Sequence, residues 1–597
     1  ISYRGPDATN IKSLSENAYF GHHRLAILDL DQASNQPFES SCGNFFLIYN
    51  GEIYNYIELR KYLEGQGANF RTKSDTEVLL QGLILFGIDF IKKLEGMFSF
   101  GFIDIQKKKL ICARDAFGIK PCYYEYFKGG LVFSSEISPI RYLTGQAKVN
   151  QRVLEDFLLD GSYDHLGETF FSHIKSLGSG EYLDYCLDTN QYQIHKWFLQ
   201  ESTSLNTSNY NETVLQTREI LIDSVHKHLR SDVPISLALS GGLDSSGVTG
   251  IVRHLFPNSE IQTFSYLPED INISEENWID LVASHNNLES HKVKFQHSKG
   301  IDDIISTVKA HQEPFGSSSM VAQYKVFESV KASGIKVTLD GQGADELFCG
   351  YTGYLSNTII TLLRQRRFSK LVKILKVALG DKGIKFVLRA ITMSGIQVLP
   401  LEVSNFIARY FHSRSLLSCF DDDPSIGRRT TIPSLRMGSR GLRSSLNFAT
   451  FEHGLPSLLR HADRNSMAHS IESRVPYLHA PLFKYLSTIP EVFLFGNQNR
   501  PKGLLFDVLE PFIPKRLYNR SDKIGFFADE WKLLHNNTND IIDHFDNKLD
   551  LASLNISRAK ELVFRASKDK NFYQPYYWRI VIAVLWATYC NTNKRLR

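Results

Sequence analysis

Between residues 235 and 340 the chain alternates short apolar runs, rich in β-branched and aromatic residues, with longer stretches whose apolar positions recur every three or four residues. The runs at 235–239, 261–266, 291–295 and 335–340 read as strands, and 245–256, 275–287 and 319–332 read as helices. Strands that alternate with helices predict a parallel sheet. Upstream the texture differs: 45–50, 97–104, 109–114 and 131–134 read as strands joined by turns or short helices, which predicts antiparallel layers. Ser74 and Glu77 form a capping box that starts a helix through Leu80 and Leu83 and leaves Asp75 in its first turn. Between the two textures residues 201–211 are polar and follow neither period, which marks a domain boundary.

The run at 235–239 leads into Ser240-Gly241-Gly242-Leu243-Asp244-Ser245-Ser246. Two glycines let the backbone approach an anion, the serine hydroxyls lie where helix N–H groups are unpaired, and Asp244 offers a magnesium ligand. Val248, Ile251, Val252 and Leu255 then recur at helical spacing, so one face packs while the N-terminus points at a ligand. A Walker lysine is missing and the turn does not fit a dinucleotide fingerprint. The pattern resembles the pyrophosphate loop of ATP pyrophosphatases, which transfer AMP. In an open α/β sheet the ligand sits beyond the carboxyl ends of the strands, so residues 240–246, Tyr266 and residues 340–345 are expected in one pocket.

At 597 residues with 43% hydrophobic content the chain has room for at least two domains with proper cores. Its 68 basic and 64 acidic residues leave a net charge of +4, which demands no nucleic acid. Cys42, Cys112, Cys122, Cys186, Cys349, Cys419 and Cys590 are scattered and odd in number, which suits a reducing compartment, and a cytoplasmic location is expected. The apolar stretch 580–587 is too short to span a bilayer and reads as a core helix with Trp578 and Trp586, so no transmembrane segment is expected. The chain opens at Ile1 without a methionine, and an absent true N-terminus is expected.

In the antiparallel half Arg24 follows Gly21-His22-His23, and Asn50-Gly51-Glu52 closes a strand. An arginine with two carboxylates, Glu52 and Asp75, can clamp an amino acid by both charged ends. The same residues also fit a plain hairpin turn and a helix N-terminal charge.

Arg4-Gly-Pro-Asp7, His23-Arg-Leu-Ala-Ile27, Tyr49-Asn-Gly-Glu-Ile-Tyr-Asn55, Ser74-Asp-Thr-Glu77, Leu94-Glu-Gly-Met-Phe98, Ala113-Arg-Asp-Ala-Phe-Gly-Ile-Lys-Pro121, Gly341-Gln-Gly-Ala-Asp-Glu-Leu-Phe348 and residues 466–476, with the 240–246 loop, carry a resemblance over nearly the whole length. The chain resembles the glutamine-hydrolysing asparagine synthetases of the AsnB type. The resemblance implies an α/β protein: an N-terminal-nucleophile (αββα) glutaminase domain at 1–205, then a parallel-sheet ATP pyrophosphatase-type synthetase domain at 206–597 with a variable helical insertion at about 355–440. It implies a glutamine pocket of Arg24, Leu25, Ala26, Ile27, Leu28, Asn50, Gly51, Glu52 and Asp75. The family's N-terminal cysteine nucleophile and first strand are expected to precede this sequence. Leu239, Ser240, Gly241, Gly242, Asp244, Ser245, Ser246, Tyr266, Asp340 and Gly341 are implied to seat ATP, with Asp244 and Asp345 on Mg2+. Gln342, Asp345 and Lys502 are implied to be catalytic, and Lys523 to share the role of Lys502.

The implied reaction converts L-aspartate, L-glutamine, ATP and water to L-asparagine, L-glutamate, AMP and pyrophosphate through β-aspartyl-AMP, with channelled ammonia. Partners are then glutamine and aspartate or another carboxylate acceptor, with no nucleic acid, and a homodimer is a further expectation. Three departures bear on the acceptor: Gln342 stands where the family has glutamate, Tyr477-Leu478-His479 replaces Phe-Leu-Asp, and Phe506 replaces an arginine. Arg364, Arg366, Arg367, Lys370, Lys373, Lys376, Lys382, Lys385 and Arg389 face only Asp381 and read as a solvated helix face. The alternative readings are an amidotransferase acting on a uronic acid or other carboxylate in surface polysaccharide assembly, and a non-catalytic ATP-binding homologue.

Overall fold

The computed structural model describes residues 1–597 except 17, 166, 199–207, 271–272, 295–299, 401–402, 404–440, 519, 521–527, 547, 550, 552–553 and 591–597. Most of the polar stretch at 201–211 and the implied Lys523 thus lie outside the described residues.

The antiparallel half contains β1 (Ala8–Ser15), β2 (Ala18–Arg24), β3 (Phe38–Glu39), β4 (Phe45–Ile53), β5 (Gly96–Asp104), β6 (Lys109–Arg114), β7 (Tyr123–Phe127), β8 (Gly130–Ser134), β9 (Lys175–Ser176), β10 (Glu181–Cys186) and β11 (Gln191–Lys196). The β4–β5 pair runs in continuous antiparallel register from Phe45↔Asp104 to Ile53↔Gly96. It sits inside a six-stranded sheet ordered β11-β10-β6-β5-β4-β3. Alternate side chains leave the sheet on opposite faces. Leu47, Tyr49, Phe98 and Phe100 pack with Leu59, Leu63, Val78 and Leu79 of the helices Tyr56–Glu64 and Asp75–Phe86. Phe46, Ile103, Leu110 and Cys112 pack the other way, with Tyr124 of the three-stranded sheet β8-β7-β9. Beyond that sheet lie the helices Ile137–Thr144 and Gln151–Asp160, whose Ile137, Ile140, Leu154 and Phe157 pack with Tyr123. Helix, sheet, sheet and helix follow in that order, which is the αββα arrangement.

The second half is built on β12 (Ile235–Ala238), β13 (Gln262–Leu267), β14 (Glu289–Lys294), β15 (Val337–Leu339) and β16 (Glu472–Arg474), ordered β14-β13-β12-β15-β16 with every neighbouring pair parallel. The crossovers carry the helices Leu243–Leu255, Glu276–His285, Gly300–His311 and Ser319–Ala332. Val248, Ile251 and Val252 are buried, as their spacing requires.

The halves share cores. Ile27, Tyr54, Met97 and Phe117 belong to one cluster with Leu221, Val225 and Leu237. The outer helical layer of the first half packs with the helix Pro575–Tyr589, in which Trp578 and Trp586 are fully buried. Trp586 meets Phe170 and Phe171 at ring-centroid distances of 5.8 and 5.6 Å, and its Nε1 donates to Gln312 O at 2.9 Å. Among the described residues no helix is long and apolar enough to cross a membrane. The basic stretch forms the end of the helix Tyr354–Arg364 and the helices Phe368–Lys382 and Ile384–Val398. Its cations are exposed except Lys370, which is half-buried and donates to Gly496 O at 3.1 Å.

Candidate functional site

Because β12 and β15 are parallel neighbours, the loops that leave their carboxyl ends lie side by side. Gly241 takes the turn at φ 73°, and a Cβ there would stand 2.8 Å from Trp278 Cβ. Gly341 approaches the first loop backbone to backbone, since its Cβ would stand 2.8 Å from Ser245 N. Ser245 Oγ accepts from Ser240 N at 3.1 Å and lies 3.0 Å from Ser240 Oγ, so hydroxyls hold the loop open around its amides. The helix Leu243–Leu255 is capped by Gly242 with no side-chain bond to its first N–H groups. Such an end attracts anions.

Lys502 reaches this end from far along the chain. Its Nζ lies 2.7 Å from both Asp244 carboxylate oxygens and 2.6 Å from Asp345 Oδ1. Burial alone would lower the ammonium pKa, but the two carboxylates outweigh it and raise it. Lys502 sits at φ 56°, ahead of the helix Gly503–Leu509. Gly350 makes room for the pair, because a Cβ there would stand 1.9 Å from Asp345 Oδ1 and 2.1 Å from Lys502 Cε. Tyr477 Oη donates to Asp244 O at 3.0 Å, and Arg520 Nη1 donates to Gly241 O at 2.8 Å. Two carboxylates already converging on one cation are hard oxygen donors, a set that fits a magnesium ion.

Around this point burial pushes the Asp340 carboxyl up to about 6, against the pull of the Gly341 and Gln342 amides. Gln342 Nε2 lies 3.5 Å from Asp340 Oδ2, and its buried Oε1 has no hydrogen bond among the described residues. Glu346 is 1% exposed; burial lifts its carboxyl to about 7 although Tyr351 Oη donates to it at 2.7 Å. Leu239 and Tyr266 lie at the ends of their strands, Leu239 N donating to Phe264 O at 2.9 Å. Ser246 is fully buried.

A cavity of 170 Å³ opens in the antiparallel half. Arg24, Leu25, Ile27, Leu28, Asn50, Gly51, Glu52 and Asp75 line it; Ala26 does not, and its N donates to Asp7 Oδ2 at 2.7 Å. Gly51, at φ 146°, cannot carry a side chain: a Cβ would stand 2.0 Å from Met97 O. Arg24 spends its fork on the following loop, Nη1 donating to Asp31 O at 2.8 Å and Asn35 Oδ1 at 2.9 Å, and Nη2 to the carbonyls of Leu28 and Asp29. Asp75 accepts from Tyr49 Oη at 2.8 Å and Ile53 N at 3.0 Å, yet burial lifts it to about 6. No cysteine lines this cavity among the described residues.

Sequence reasoning missed that the parallel-sheet half closes this cavity with Met467 and Glu472. Glu472 accepts from Arg474 Nε at 2.8 Å, and Arg474 Nη2 lies 3.6 Å from Glu52 Oε1. Burial, then Glu472 and Asp75, raise the Glu52 pKa. Arg474 Nη1 donates to His228 O and Arg230 O at 2.7 Å each, and Arg474 O accepts from Asp340 N at 2.8 Å. One residue therefore touches the wall of this cavity and the start of the nucleotide-side loop. His479, the third residue of the altered Tyr-Leu-His triplet, bonds across the halves, its Nε2 lying 2.9 Å from Glu95 Oε2. Lys227 shares that carboxylate at 2.8 Å; burial opposes ionisation, but both partners hold Glu95 at about 2. Phe506 lies under the Arg500 guanidinium, 3.4 Å from its ring centroid.

An αββα unit with an amino-acid-sized cavity, joined to a parallel sheet with an anion cradle and a two-carboxylate cation point, defines a glutamine amidotransferase fused to an ATP-using ligase domain. The model of the glutamine amidotransferase domain matches residues 1–198 and that of asparagine synthase residues 216–588, and the chain belongs to the asparagine synthase family. It is 28% identical to Asparagine synthetase (glutamine-hydrolyzing) 1 of Bacillus subtilis (strain 168), over 100% of this chain and 93% of that protein. It is 34% identical to Asparagine synthetase (glutamine-hydrolyzing) 2 of the same organism, over 60% of this chain and 49% of that one. Amidase chry2 of Gibberella zeae is 26% identical over 88% of this chain and 83% of its own length.

Proposed function

We propose that the protein makes L-asparagine from L-aspartate, ATP and glutamine-derived ammonia, with residues 1–205 as the glutaminase unit and 206–597 as the synthetase. The observation that carries this reading is the grip of Asp244 and Asp345 on Lys502 at the mouth of the Ser240–Ser246 loop. ATP lies with its β- and γ-phosphates on the amides and hydroxyls of that loop, between Leu239, Tyr266, Asp340 and Gly341. A magnesium ion held by Asp244 and Asp345 would neutralise phosphate charge. Lys502, which stands at the mouth of the loop, supplies its positive charge to the leaving pyrophosphate.

The acceptor carboxylate oxygen attacks the α-phosphorus, the bond to pyrophosphate breaks, and an acyl-adenylate forms. Ammonia then adds to the acyl carbon, AMP leaves, and the surplus proton goes to Glu346, whose pKa near neutrality suits a base. Gln342 orients the acceptor through its amide and takes no proton. On the other side Glu52 and Asp75 receive the α-ammonium of glutamine, and Arg24, with Leu25–Leu28, Asn50 and Gly51, supplies positive charge and backbone groups to the rest of it.

Gln342 also supports a second reading, in which the acceptor is a uronic acid or another carboxylate, because the family's ionisable group is replaced by an amide. Pyrophosphate release from ATP and Mg2+, with ammonium as nitrogen donor, decides between them. Aspartate-dependent release with asparagine formed supports the first reading. Release only with sugar acids supports the second, and ATP binding without release on any acceptor rejects both.

A further inference from the structure

The helix Ile384–Val398 carries apolar side chains on its outer face as well as on its inner one. Its inner side is Val387, Ala390, Ser394 and Gln397, with Phe386 and Met393 half-buried beside them. Its outward side is Ile384, Leu388, Ile391 and Val398, exposed by 63%, 55%, 46% and 59%. A surface helix ordinarily turns its more apolar stripe to the core. The orientation is pinned by polar contacts with the neighbouring helix Tyr354–Arg364: Ser394 Oγ donates to Ser356 O at 3.0 Å, and Asn357 Nδ2 to Gln397 Oε1 at 3.4 Å. Rotation to bury Ile391 would break both. The preceding helix, Phe368–Lys382, repeats the arrangement: Leu371 and Ile374 face inward, while Phe368, Val372 and Leu379 are 58%, 51% and 46% exposed.

The charge on these helices has one sign. Lys373, Lys376, Lys382, Lys385 and Arg389 are exposed, and Asp381 is the single acidic side chain in either helix. Lys385 follows Ile384 by one position, which places it on the border of the apolar stripe, whereas Arg389 lines the cavity on the inner side of the helix with Ala390 and Gln397. An apolar stripe edged by cations is the make-up of a helix that lies in a membrane interface, and fifteen residues are too few to span one. A second copy of the chain would bring two basic rims together and repel. An anionic lipid surface complements both the stripe and its rim.

We propose that the helices Phe368–Lys382 and Ile384–Val398 dock the protein on an anionic phospholipid bilayer. Phe368, Val372, Ile384, Leu388 and Ile391 enter the boundary between headgroups and acyl chains, and Lys373, Lys376, Lys382 and Lys385 meet lipid phosphates. Leu388, Ile391, Lys382 and Lys385, the residues exchanged in the test below, lie outside the sites of the proposed reaction, so each is tested without the other.

The test is cosedimentation of the full chain with vesicles of phosphatidylcholine alone and of an equimolar phosphatidylcholine–phosphatidylglycerol mixture, over a range of sodium chloride. Binding is expected to the mixed vesicles and to weaken with salt. The double variant Leu388→Gln, Ile391→Gln loses it, and Lys382→Glu with Lys385→Glu weakens it by at least about fivefold per residue. Both variants change exposed side chains and keep the far-ultraviolet circular dichroism of the parent. The idea is overturned by absence of binding to the mixed vesicles, by equal binding of Leu388→Gln, Ile391→Gln and parent, or by parent self-association that this variant abolishes while vesicle binding stays.

Discussion

Arg474 and Glu52 meet across the two halves of the chain, the Nη2 of one 3.6 Å from the Oε1 of the other, while the Arg474 carbonyl accepts from Asp340 N. Glutamine bound at Glu52, as proposed, would compete for a carboxylate that Arg474 shares. Binding of glutamine and of ATP is therefore expected to be coupled, and by linkage each ligand shifts the other's affinity by the same factor. Titration calorimetry of each ligand with and without the other measures it. In Glu472→Gln the factor falls towards one, while each affinity measured alone moves by less; an unchanged factor would falsify the link.

Lys502→Met leaves Asp244 and Asp345 facing one another without their cation. Ammonium-dependent pyrophosphate release is expected to drop by roughly a hundred- to a thousand-fold, the size of losing one charge-stabilising donor. A variant that retains half the parent rate in a stopped assay removes Lys502 from the reaction.

Gly350→Ala tests the same cluster sterically, since the added carbon would overlap Asp345 and Lys502. A cost of about 1–3 kcal/mol in stability is expected from overpacking, with a loss of activity larger than that cost explains. Urea titration beside the pyrophosphate assay separates the two; equal activity at full folding would show that the Lys502 pair can move aside freely.

The pH dependence of the synthetase half-reaction should follow Glu346. Its carboxyl is raised by burial from the ordinary 4.5 to about 7, so as a base it works above that value, and the rate is expected to rise with pH through 7. Stability runs the other way. The folded state holds this proton where the unfolded state has lost it, so the group's contribution is fully present below about 4.5 and is lost as the pH rises through 7. Glu346→Gln flattens both profiles; a rate profile unchanged in that variant assigns the proton to another group.

Much of the fold was legible. β12, β13 and β15 announced themselves by apolar runs, and the helix Ser319–Ala332 stands at the residues its period marked. β16 was not, because Glu472-Ser473-Arg474 contains no apolar residue, and only its pairing with β15 and its ion pairs let it be buried. The helix Gly300–His311 is missed as well, although its buried Ile304, Thr307, Val308 and His311 recur at helical spacing. At the candidate site the Ser240–Ser246 loop could be read from local chemistry, because glycine, hydroxyl and carboxylate are contiguous there. Lys502 could not, being 258 residues from Asp244, and only resemblance pointed to it. Gly350, Tyr477, Arg474 and Glu472 act through space from separate elements, and no spacing rule joins them.

The interlocked cores give a prediction of their own. Trp586→Ala should cost about 3–5 kcal/mol, and because Phe170 and Phe171 lean on that ring, both halves should melt in one transition at lower temperature. Two separate calorimetric peaks would show that the halves hold themselves independently.

The helix Pro575–Tyr589 completes the outer layer of a unit whose strands left the ribosome more than three hundred residues earlier. Until that helix emerges, the cluster of Ile137, Leu154 and Phe157 lacks the partners it supplies, and the glutaminase unit would wait, partly covered, through the synthesis of its neighbour. Closure of that wall is thus timed by a helix made hundreds of residues later, and a ribosome that stalls before residue 575 would release a chain whose apolar wall lacks this cover, for chaperones and proteases to find.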